Sequence, residues 1–395
     1  MLVNLLLLIS LVTLLPGQLV RLPFTQSGAI TLTDLAVAST VIVFVIDAFL
    51  IRKSLKIPKI IFTPFILFTL SASASTIIAL NFFSPTQIAV SSLFLLRFII
   101  YFFLSVVVYN VIEKGSIEKW VNVLLIVGTI FAFLGFFQLV FFSNLSSLQA
   151  LGWDPHQMRL VSTLLDPNFA GCIFSITTAI SLSYYLYKNR KIYLFASAVF
   201  IIAIIFTFSR SSYLAIATVI ATIGVVKAPR VLIIAVAVFI LSFTTIGQVK
   251  SRIIGALSID ETAAARIESW QKALEIFREN ELLGVGFNTY RYAQASFGFF
   301  SFDNPLGGHA GAGSDSSILL VAATTGIIGL SLYLYLLINV FRTLKYKARS
   351  SPLHLGALAA FFGLIVDSQF INSLFFPQVM LLFYFILGLV IKNDN

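Results

Sequence analysis

The sequence predicts an all-α, polytopic integral membrane protein with about twelve transmembrane helices and one large extracytoplasmic loop that contains short helices. Of its 395 residues, 59% are hydrophobic and only 11% are charged, and the mean hydropathy is +0.99. Soluble domains contain about 25% charged residues. The apolar runs are about 20 residues long, which suits helices, whereas an outer-membrane barrel alternates in segments of roughly 10 residues.

Twelve apolar runs are long enough to be assigned as spans. The first run lacks a basic start and a small-x-small cleavage site, so we expect an uncleaved helix and not a secretory signal. The spans divide the chain into helices 1–9 (residues 1–247), an extracytoplasmic catalytic loop (248–316) and helices 10–12 (317–395). The predicted spans are 2–20, 29–50, 60–80, 87–111, 120–142, 168–187, 192–208, 213–226, 231–247, 317–341, 353–370 and 375–391.

Basic residues are concentrated in alternate loops, which orients the bundle. Cytoplasmic loops of membrane proteins carry an excess of Lys and Arg, so we assign these loops to the cytoplasmic side. The protein is then expected in the inner (cytoplasmic) membrane with both termini in the cytoplasm. Most of the net charge of +10 is then explained by the basic residues that orient the protein in the membrane, so nucleic-acid binding is a poor interpretation of that charge. The inner-loop residues are Arg52, Lys53, Lys56, Lys59, Lys114, Lys119, Lys188, Arg190, Lys191, Lys227, Arg230, Arg342, Lys345, Lys347 and Arg349.

Cysteine and histidine are too few and too scattered to indicate a disulfide or a zinc site. The one cysteine, Cys172, lies in an apolar run, so no intramolecular disulfide is possible. The three histidines, His156, His309 and His354, fall in three different loops or loop borders. No metal site is therefore predicted.

The outer loop 248–316 contains six basic and eight acidic residues and is predicted to form a helix over residues 262–280. Ile267, Trp270, Leu274 and Phe277 fall on one face at spacings of three and four, and Arg266 lies near the start. Such a helix could lie over the mouth of the bundle. A surface helix with solvated charges is the alternative interpretation.

The stretch from residue 303 to 317, DNPLGGHAGAGSDSS, follows that helix and contains His309 and Asp315. Glycine-rich backbone can approach a ligand closely and present N–H groups to anions. The signal is weak, because a loop without a ligand and a solvated histidine explain the same composition.

Arg210 lies at the outer end of the seventh span, between serines in the run FTFSRSSY. An arginine at a span end can simply extend to the interface, but the serines favour a polar pocket that opens outward. Three further ionisable residues, Asp34, Arg97 and Asp367, lie within spans. Charges in the membrane mark function or structural pairing, and an Arg97–Asp367 pair is possible.

Four features in this order resemble the O-antigen ligase and O-antigen polymerase superfamily of bacterial membrane glycan transferases. They are FTFSRSS at Phe206, RIESWQKALEIFRENELLGVGFNTY from Arg266, SDSSILLVAATTGIIGLSLYLY from Ser314, and the layout of twelve spans with one large outer loop before the tenth. The match is clearest over residues 192–340, and no single motif in it is highly specific.

The resemblance implies transfer of a glycan from a polyprenyl-pyrophosphate donor at the outer face of the membrane. Arg210 and Arg266 match arginines that would hold the pyrophosphate, and Arg291 is a weaker third candidate. With arginines neutralising the leaving group, no metal or other cofactor is required. The partners implied are the lipid-linked donor, a glycan, lipid or protein acceptor, and the bilayer.

The chain departs from the ligases at the general base. Their histidine stands about eleven residues before the threonine-glycine that matches Thr325 and Gly326, where this chain has Asp315 as the nearest ionisable residue. Polymerase-like members often carry an Asp-Asn or similar pair there, so Asp315 favours a polymerase, which extends the glycan, over a ligase, which transfers it to lipid A core or protein. His309 remains an alternative base.

A glycan flippase or transporter without catalysis is the main alternative from another class. Such a protein is expected to carry inverted repeats and charges along several spans. This chain concentrates its charges in one outer loop, which favours chemistry at the membrane surface.

Overall fold

The computed structural model describes residues 2–25, 28–51, 54–151, 153–257, 260–299 and 313–394, and it is helical almost throughout. One small antiparallel hairpin, β1 (Arg21–Thr25) with β2 (Gly28–Thr31), interrupts the helices. The helices are α1 Leu2–Val12, α2 Leu32–Ile46, α3 Lys59–Ile78, α4 Pro85–Val111, α5 Ile117–Phe141, α6 Pro167–Lys188, α7 Lys191–Thr207, α8 Arg210–Val226, α9 Arg230–Thr245, α10 Gly247–Leu257, α11 Glu261–Glu279, α12 Tyr290–Ser296, α13 Ser317–Lys345, α14 Pro352–Asp367 and α15 Pro377–Asp394.

Each predicted span coincides with an apolar helix, but the helices differ in length. In the described part of the chain, seven helical segments are long and apolar enough to cross a membrane. The pair α9 and α10 passes the same test together but is bent by 100°. The helices α1, α7, α8 and α14 are apolar but shorter. The all-helical membrane fold is therefore confirmed, whereas twelve crossings stay a prediction.

Local sequence signals explain where several spans begin. Thr31 and Asp34 form a reciprocal capping box at the start of α2, and Ser84 and Gln87 form another at the start of α4. Asp166 caps α6 by accepting hydrogen bonds from the backbone N–H groups of the second and third helical residues, and Pro167 follows it. These caps satisfy N–H groups that a helix cannot satisfy internally.

The core of the bundle is formed by α6 and α15, which are the most buried of the long spans. The helix α6 packs against α7 and α14, and α15 packs against α4. Gly356 of α14 allows close approach, because a Cβ atom there would lie 2.9 Å from the Cα of Ile180 in α6. Small residues at such contacts are how membrane helices gain packing energy.

A charged network in the first half of the bundle differs from the pairing considered above. Arg97 forms an ion pair with Asp34 (Nε–Oδ1 2.9 Å) and also donates to the carbonyl of Ala29. Tyr101 donates to the same carboxylate at 3.0 Å. An Arg97–Asp367 pair is therefore wrong, because the Thr31 cap places Asp34 within reach of α4. Asp367 lies buried at the far end of α14.

The long helix α13 is broken at Gly326, whose φ of 65° and ψ of −168° are open only to glycine. A turn after α11, residues 281–286, packs into this break with Gly284 at φ 67°. The N–H groups of Val285 and Gly286 donate to carbonyls of α13 at 3.1 and 2.9 Å, and the N–H of Ile327 donates to the carbonyl of Glu281 at 2.7 Å. The broken helix and the turn thus supply hydrogen-bond partners for each other's backbone groups.

The helix α3 holds the same junction from the other side. The hydroxyl of Ser75 lies within hydrogen-bond distance of the carbonyl oxygens of Leu283 (2.5 Å) and Thr324 (2.8 Å). The N–H of Phe287 donates to the hydroxyl of Thr76 at 3.1 Å. The segment from residue 283 to 287 is therefore anchored to α3 by hydrogen bonds between its backbone and the side chains of Ser75 and Thr76.

We expect Gly326→Ala to lower the free energy of unfolding by about 2 kcal/mol or more, because it forces an L-residue into a glycine-only conformation. The added Cβ would also lie 2.3 Å from the carbonyl of Leu282. The control is Gly115→Ala, since nothing lies within 4 Å of a Cβ there. Thermal unfolding in detergent micelles measures the stability of both variants. Equal unfolding midpoints would contradict the close packing of the turn 281–286 into the break in α13.

Asp34→Ala should destabilise the protein by about 3–5 kcal/mol, because it leaves the Arg97 guanidinium, only 15% exposed, without its counter-charge. The double variant Asp34→Ala with Arg97→Leu should recover a large part of this loss, since no unpaired charge remains. Unfolding midpoints of the single and double variants give the comparison. A double variant no more stable than Asp34→Ala would show that the pair is not the cause.

Candidate active site

The candidate site lies where α11 and the residues just before α13 meet the C-terminal ends of α7 and α14 and the N-terminal end of α8. Phe208, in the left-handed conformation at φ 47°, ends α7 in a tight turn. Ser209 then caps α8 by accepting from the N–H of Ser212, which makes Arg210 the first residue of that helix. The predicted arginine therefore projects from a rigid helix start and not from a loose loop.

Arg210 is engaged by a carboxylate. Both terminal nitrogens of its guanidinium donate to Asp260, one at 3.0 Å and the other more closely, in a bidentate ion pair. Asp260 also caps α11 by accepting from the N–H of Ala263. The Arg210 hydrogen bonds hold the pKa of Asp260 below its usual range. A phosphate that binds Arg210 must compete with this carboxylate.

Arg266 is in the opposite situation. It is half-buried on α11, and its guanidinium lies 5.9 Å from the centre of the Phe370 ring. Among the described residues it makes no hydrogen bond or ion pair. Burial lowers its pKa, while the nearby carboxylates of Asp315, Asp367 and Asp166 act in the other direction. A half-buried guanidinium with no hydrogen bond or ion pair among the described residues can bind an anion.

The predicted apolar face of α11 is only partly correct. Ile267 and Leu274 are 39% and 38% exposed, whereas Ala273 and Ile276 are fully buried against α12 and α13. The buried face of this helix is therefore rotated relative to the prediction. Residues three and four positions apart lie on the same side of a helix. Arg266 precedes residues that contact the site by three and four positions, so its side chain is on the side of α11 that faces the site.

Asp315 lies two residues before α13, next to the capping residue Ser316, and is positioned by α11. Its N–H donates to the hydroxyl of Ser269, one turn beyond Arg266, at 3.0 Å. Burial raises the pKa of the Asp315 carboxyl to about 6, against the opposing effect of Arg266. A carboxylate with this pKa is ionised at neutral pH and still a usable proton acceptor. The structure thus brings Arg210, Arg266 and Asp315 into one electrostatic cluster.

Two predicted residues are not part of this cluster as described. Arg291 lines a cavity of about 160 Å³ with Ser91, Asn288 and Asn372, and neither Arg210, Arg266 nor Asp315 lines it. His309 lies outside the described residues. Arg291 is therefore a neighbour of the site, and the role of His309 stays a prediction.

A group of residues in the loop before α6 was not predicted from the sequence. Arg159 donates to the carbonyls of Thr207 (2.9 Å) and Phe208 (3.2 Å), which positions the turn before Arg210. Burial lowers its pKa to about 10. The sequence signal for Arg159 was its position as an isolated arginine in a predicted outer loop with few charges. Its contact with the carbonyl of Thr207 could not be predicted, because the two residues lie 48 positions apart.

The same loop brings Asp154, His156 and Asp166 together, with their ligating atoms within 4.8 Å of one another. Burial lowers the pKa of His156 to about 4, and burial together with Asp166 raises that of Asp154. The prediction of no metal-ligating group considered only histidine and cysteine, and so overlooked the two carboxylates.

These features define a helical membrane protein with a cluster of arginines and carboxylates at one end of its bundle. Residues 171–334 match the family model described as O-Antigen ligase, which covers less than half of the chain but includes Arg210, Arg266, Arg291 and Asp315. No curated protein matches the chain. The predicted resemblance to the O-antigen ligase and polymerase superfamily is confirmed, and the match indicates a membrane glycan transferase of that type.

We expect Asp315→Asn to stabilise the protein at pH 8 by up to about 3 kcal/mol and to leave its stability nearly unchanged at pH 4. The native pKa of about 6 lies above the ordinary 3.8, so the ionised carboxylate is disfavoured in the folded state. The loss of stability caused by the ionised Asp315 carboxylate is absent at low pH, grows between pH 3.8 and 6, and reaches its full value above pH 6. Thermal unfolding from pH 4 to pH 8 measures it.

Glu275→Gln, an exposed change on α11, is the control and should shift stability little at either pH. A destabilised Asp315→Asn protein at pH 8 would contradict the assigned environment of the carboxyl.

Proposed function

We propose that the protein transfers a glycan from a polyprenyl-pyrophosphate donor to an acceptor at the outer face of the cytoplasmic membrane. A polymerase of O-antigen or other surface polysaccharide is favoured over a ligase. The observation that carries the proposal is Arg266, a half-buried guanidinium with no hydrogen bond or ion pair among the described residues, near Asp315 and Arg210 in the region that matches the O-Antigen ligase model.

The arginines suit a pyrophosphate leaving group. Arg266 is available to it at once, because no described residue bonds its guanidinium. Arg210 presents a bidentate fork that already holds the two oxygens of the Asp260 carboxylate, and phosphate oxygens accept the same geometry. In the proposed complex the pyrophosphate replaces Asp260, and both arginines offset the negative charge that develops on the leaving group.

Asp315 is the proposed general base. The oxygen of the acceptor hydroxyl forms a bond to the anomeric carbon of the donor sugar, while the bond from that carbon to the pyrophosphate oxygen breaks. The electron pair of the broken bond leaves with the polyprenyl pyrophosphate, and the hydroxyl proton passes to Asp315. The pKa of about 6 permits this transfer near neutral pH. His309 is retained as the alternative base.

Charge at the opposite end of the bundle supports the proposed orientation. Glu118, at the start of α5, binds Lys188 and Arg190 at the turn between α6 and α7, each at 3.1 Å. The chain connectivity places this turn at the end away from Arg159 and Arg210. A basic cytoplasmic end then leaves the candidate site, and the long loop that builds it, on the outer side.

The proposed partners are the lipid-linked glycan donor, a glycan, lipid or protein acceptor, and the bilayer, with no nucleic acid. The proposed transfer requires no metal and no further cofactor, because the arginines neutralise the leaving group. A glycan flippase without catalysis gains no support from the family match.

The experiment gives the purified protein, in detergent with a chelator, a polyprenyl-pyrophosphate oligosaccharide. We expect longer glycans on the same lipid for a polymerase, or transfer to added lipid A core or protein for a ligase. Arg266→Ala and Arg210→Ala should each reduce the rate by about 10²–10³-fold, as expected when one charge-stabilising donor is removed. Asp315→Asn should be inactive while the protein stays folded.

Arg278→Ala is the matched control, because Arg278 lies exposed on the same helix as Arg266. It should retain the native rate. Equal rates for Arg266→Ala and Arg278→Ala would contradict the pyrophosphate assignment, and the absence of any product with the native protein would contradict the proposed transfer.

A further inference from the structure

The loop between α5 and α6 contains a cluster of potential metal ligands that the proposed transfer does not use. It consists of Asp154, His156 and Asp166, whose ligating atoms lie within 4.8 Å of one another. Bonds of about 2.0–2.2 Å from an ion to imidazole nitrogen and carboxylate oxygen place neighbouring ligand atoms roughly 3–4 Å apart. The cluster therefore needs only small side-chain movements to surround one ion.

The backbone of His156 is held in place, and its Nε2 atom has no hydrogen-bond partner among the described residues. The carbonyl of His156 accepts from the N–H of Leu145 at 3.0 Å, and its N–H donates to the carbonyl of Asp154 at 2.9 Å. Its Nε2 atom is buried, and no atom of the described chain forms a hydrogen bond with it. A buried imidazole nitrogen without a partner costs free energy that a bound ion would recover.

The two carboxylates also have coordinating capacity left. Among the described residues, the Asp154 carboxylate accepts no hydrogen bond. Asp166 uses Oδ1 to accept from the N–H groups of Asn168 and Phe169, which orients the carboxylate and leaves Oδ2 for a ligand. Such a second hydrogen-bonded contact is typical of carboxylates that bind metal ions.

Two arginines act against a cation here. Arg159 and Arg252 are close enough to affect the protonation of His156. Arg159, however, gives its Nε and one terminal nitrogen to the carbonyls of Thr207 and Phe208 and not to the carboxylates. The repulsion between Asp154 and Asp166 is thus not relieved by a direct hydrogen bond from this arginine, and a divalent ion between the carboxylates would relieve it.

We propose that Asp154, His156 and Asp166 bind one divalent transition-metal ion of the Mn²⁺ or Zn²⁺ class. One imidazole nitrogen and two carboxylate oxygens suit these ions, whereas Ca²⁺ and Mg²⁺ prefer oxygen ligands alone. The remaining coordination positions belong to water. The proposal does not depend on the glycan transfer and gives the ion no step in it; the ion would order the loop that carries Arg159.

The test titrates Mn²⁺ into purified protein without a polyhistidine tag, in detergent micelles, and follows the electron paramagnetic resonance signal of free Mn²⁺. We expect one bound ion per chain, displaced by Zn²⁺. His156→Gln and Asp154→Asn should each weaken binding by at least about tenfold. Glu113→Gln, an exposed change at the cytoplasmic end, is the control and should bind as the native protein does.

A second measurement covers variants that fail to fold. The electron spin echo of Mn²⁺ bound to the native protein should show coupling to one histidine nitrogen, and the coupling should persist in His309→Gln. Any of three results would overturn the proposal. They are a lack of stoichiometric Mn²⁺ binding, an unchanged affinity for Mn²⁺ in both His156→Gln and Asp154→Asn, and a loss of the nitrogen coupling in His309→Gln. Because these readouts contain no glycan, they are unaffected by the outcome of the transfer assay.

Discussion

The interlock between the turn 281–286 and the break in α13 is the constraint on which the rest of the outer region depends. A helix broken at membrane depth leaves backbone groups that the hydrocarbon cannot satisfy, at a cost of several kcal/mol for each group. The turn supplies the missing partners, with hydrogen bonds on both sides of Gly326. Since α11 ends just before this turn and Asp315 lies just before α13, the interlock fixes Arg266 and Asp315 relative to each other.

The site is built at the expense of local stability. Arg266 and Asp315 are both partly buried, and burial acts against the charged form of each. Such groups persist only where the surrounding structure holds them firmly. Here the firm structure is the core of α6 and α15 and the junction held by Ser75 and Thr76 of α3. The charged end is therefore supported by packing that has no part in the chemistry.

Much of the fold could be predicted because the bilayer imposes a length and a polarity that hydropathy reads directly. The helical class and the position of each apolar segment followed from this. Arg210 was predicted from a family motif and Asp315 from the position where the chain departs from the ligases, and the roles of both stay a prediction. The partner of Arg210 could not be predicted, because Asp260 lies 50 residues away. The break at Gly326 and the rotated face of α11 depend on tertiary contacts that no local period records. Arg159 was missed for the same reason, whereas the group around His156 was missed because carboxylates were not counted as metal ligands.

On the proposed function, the two arginines differ in what they require of the donor. Arg266 has no hydrogen bond or ion pair within the described part of the chain to give up when it meets a pyrophosphate, so no described carboxylate is bonded in its place. Arg210 must exchange one bidentate carboxylate for another bidentate anion, which makes its net contribution a difference between two similar interactions. Asp260 is also the cap of α11, so the exchange removes one support from the start of the helix that carries Arg266. Donor binding at Arg210 is thereby coupled to the position of Arg266, and a site with two independent arginines would lack this coupling.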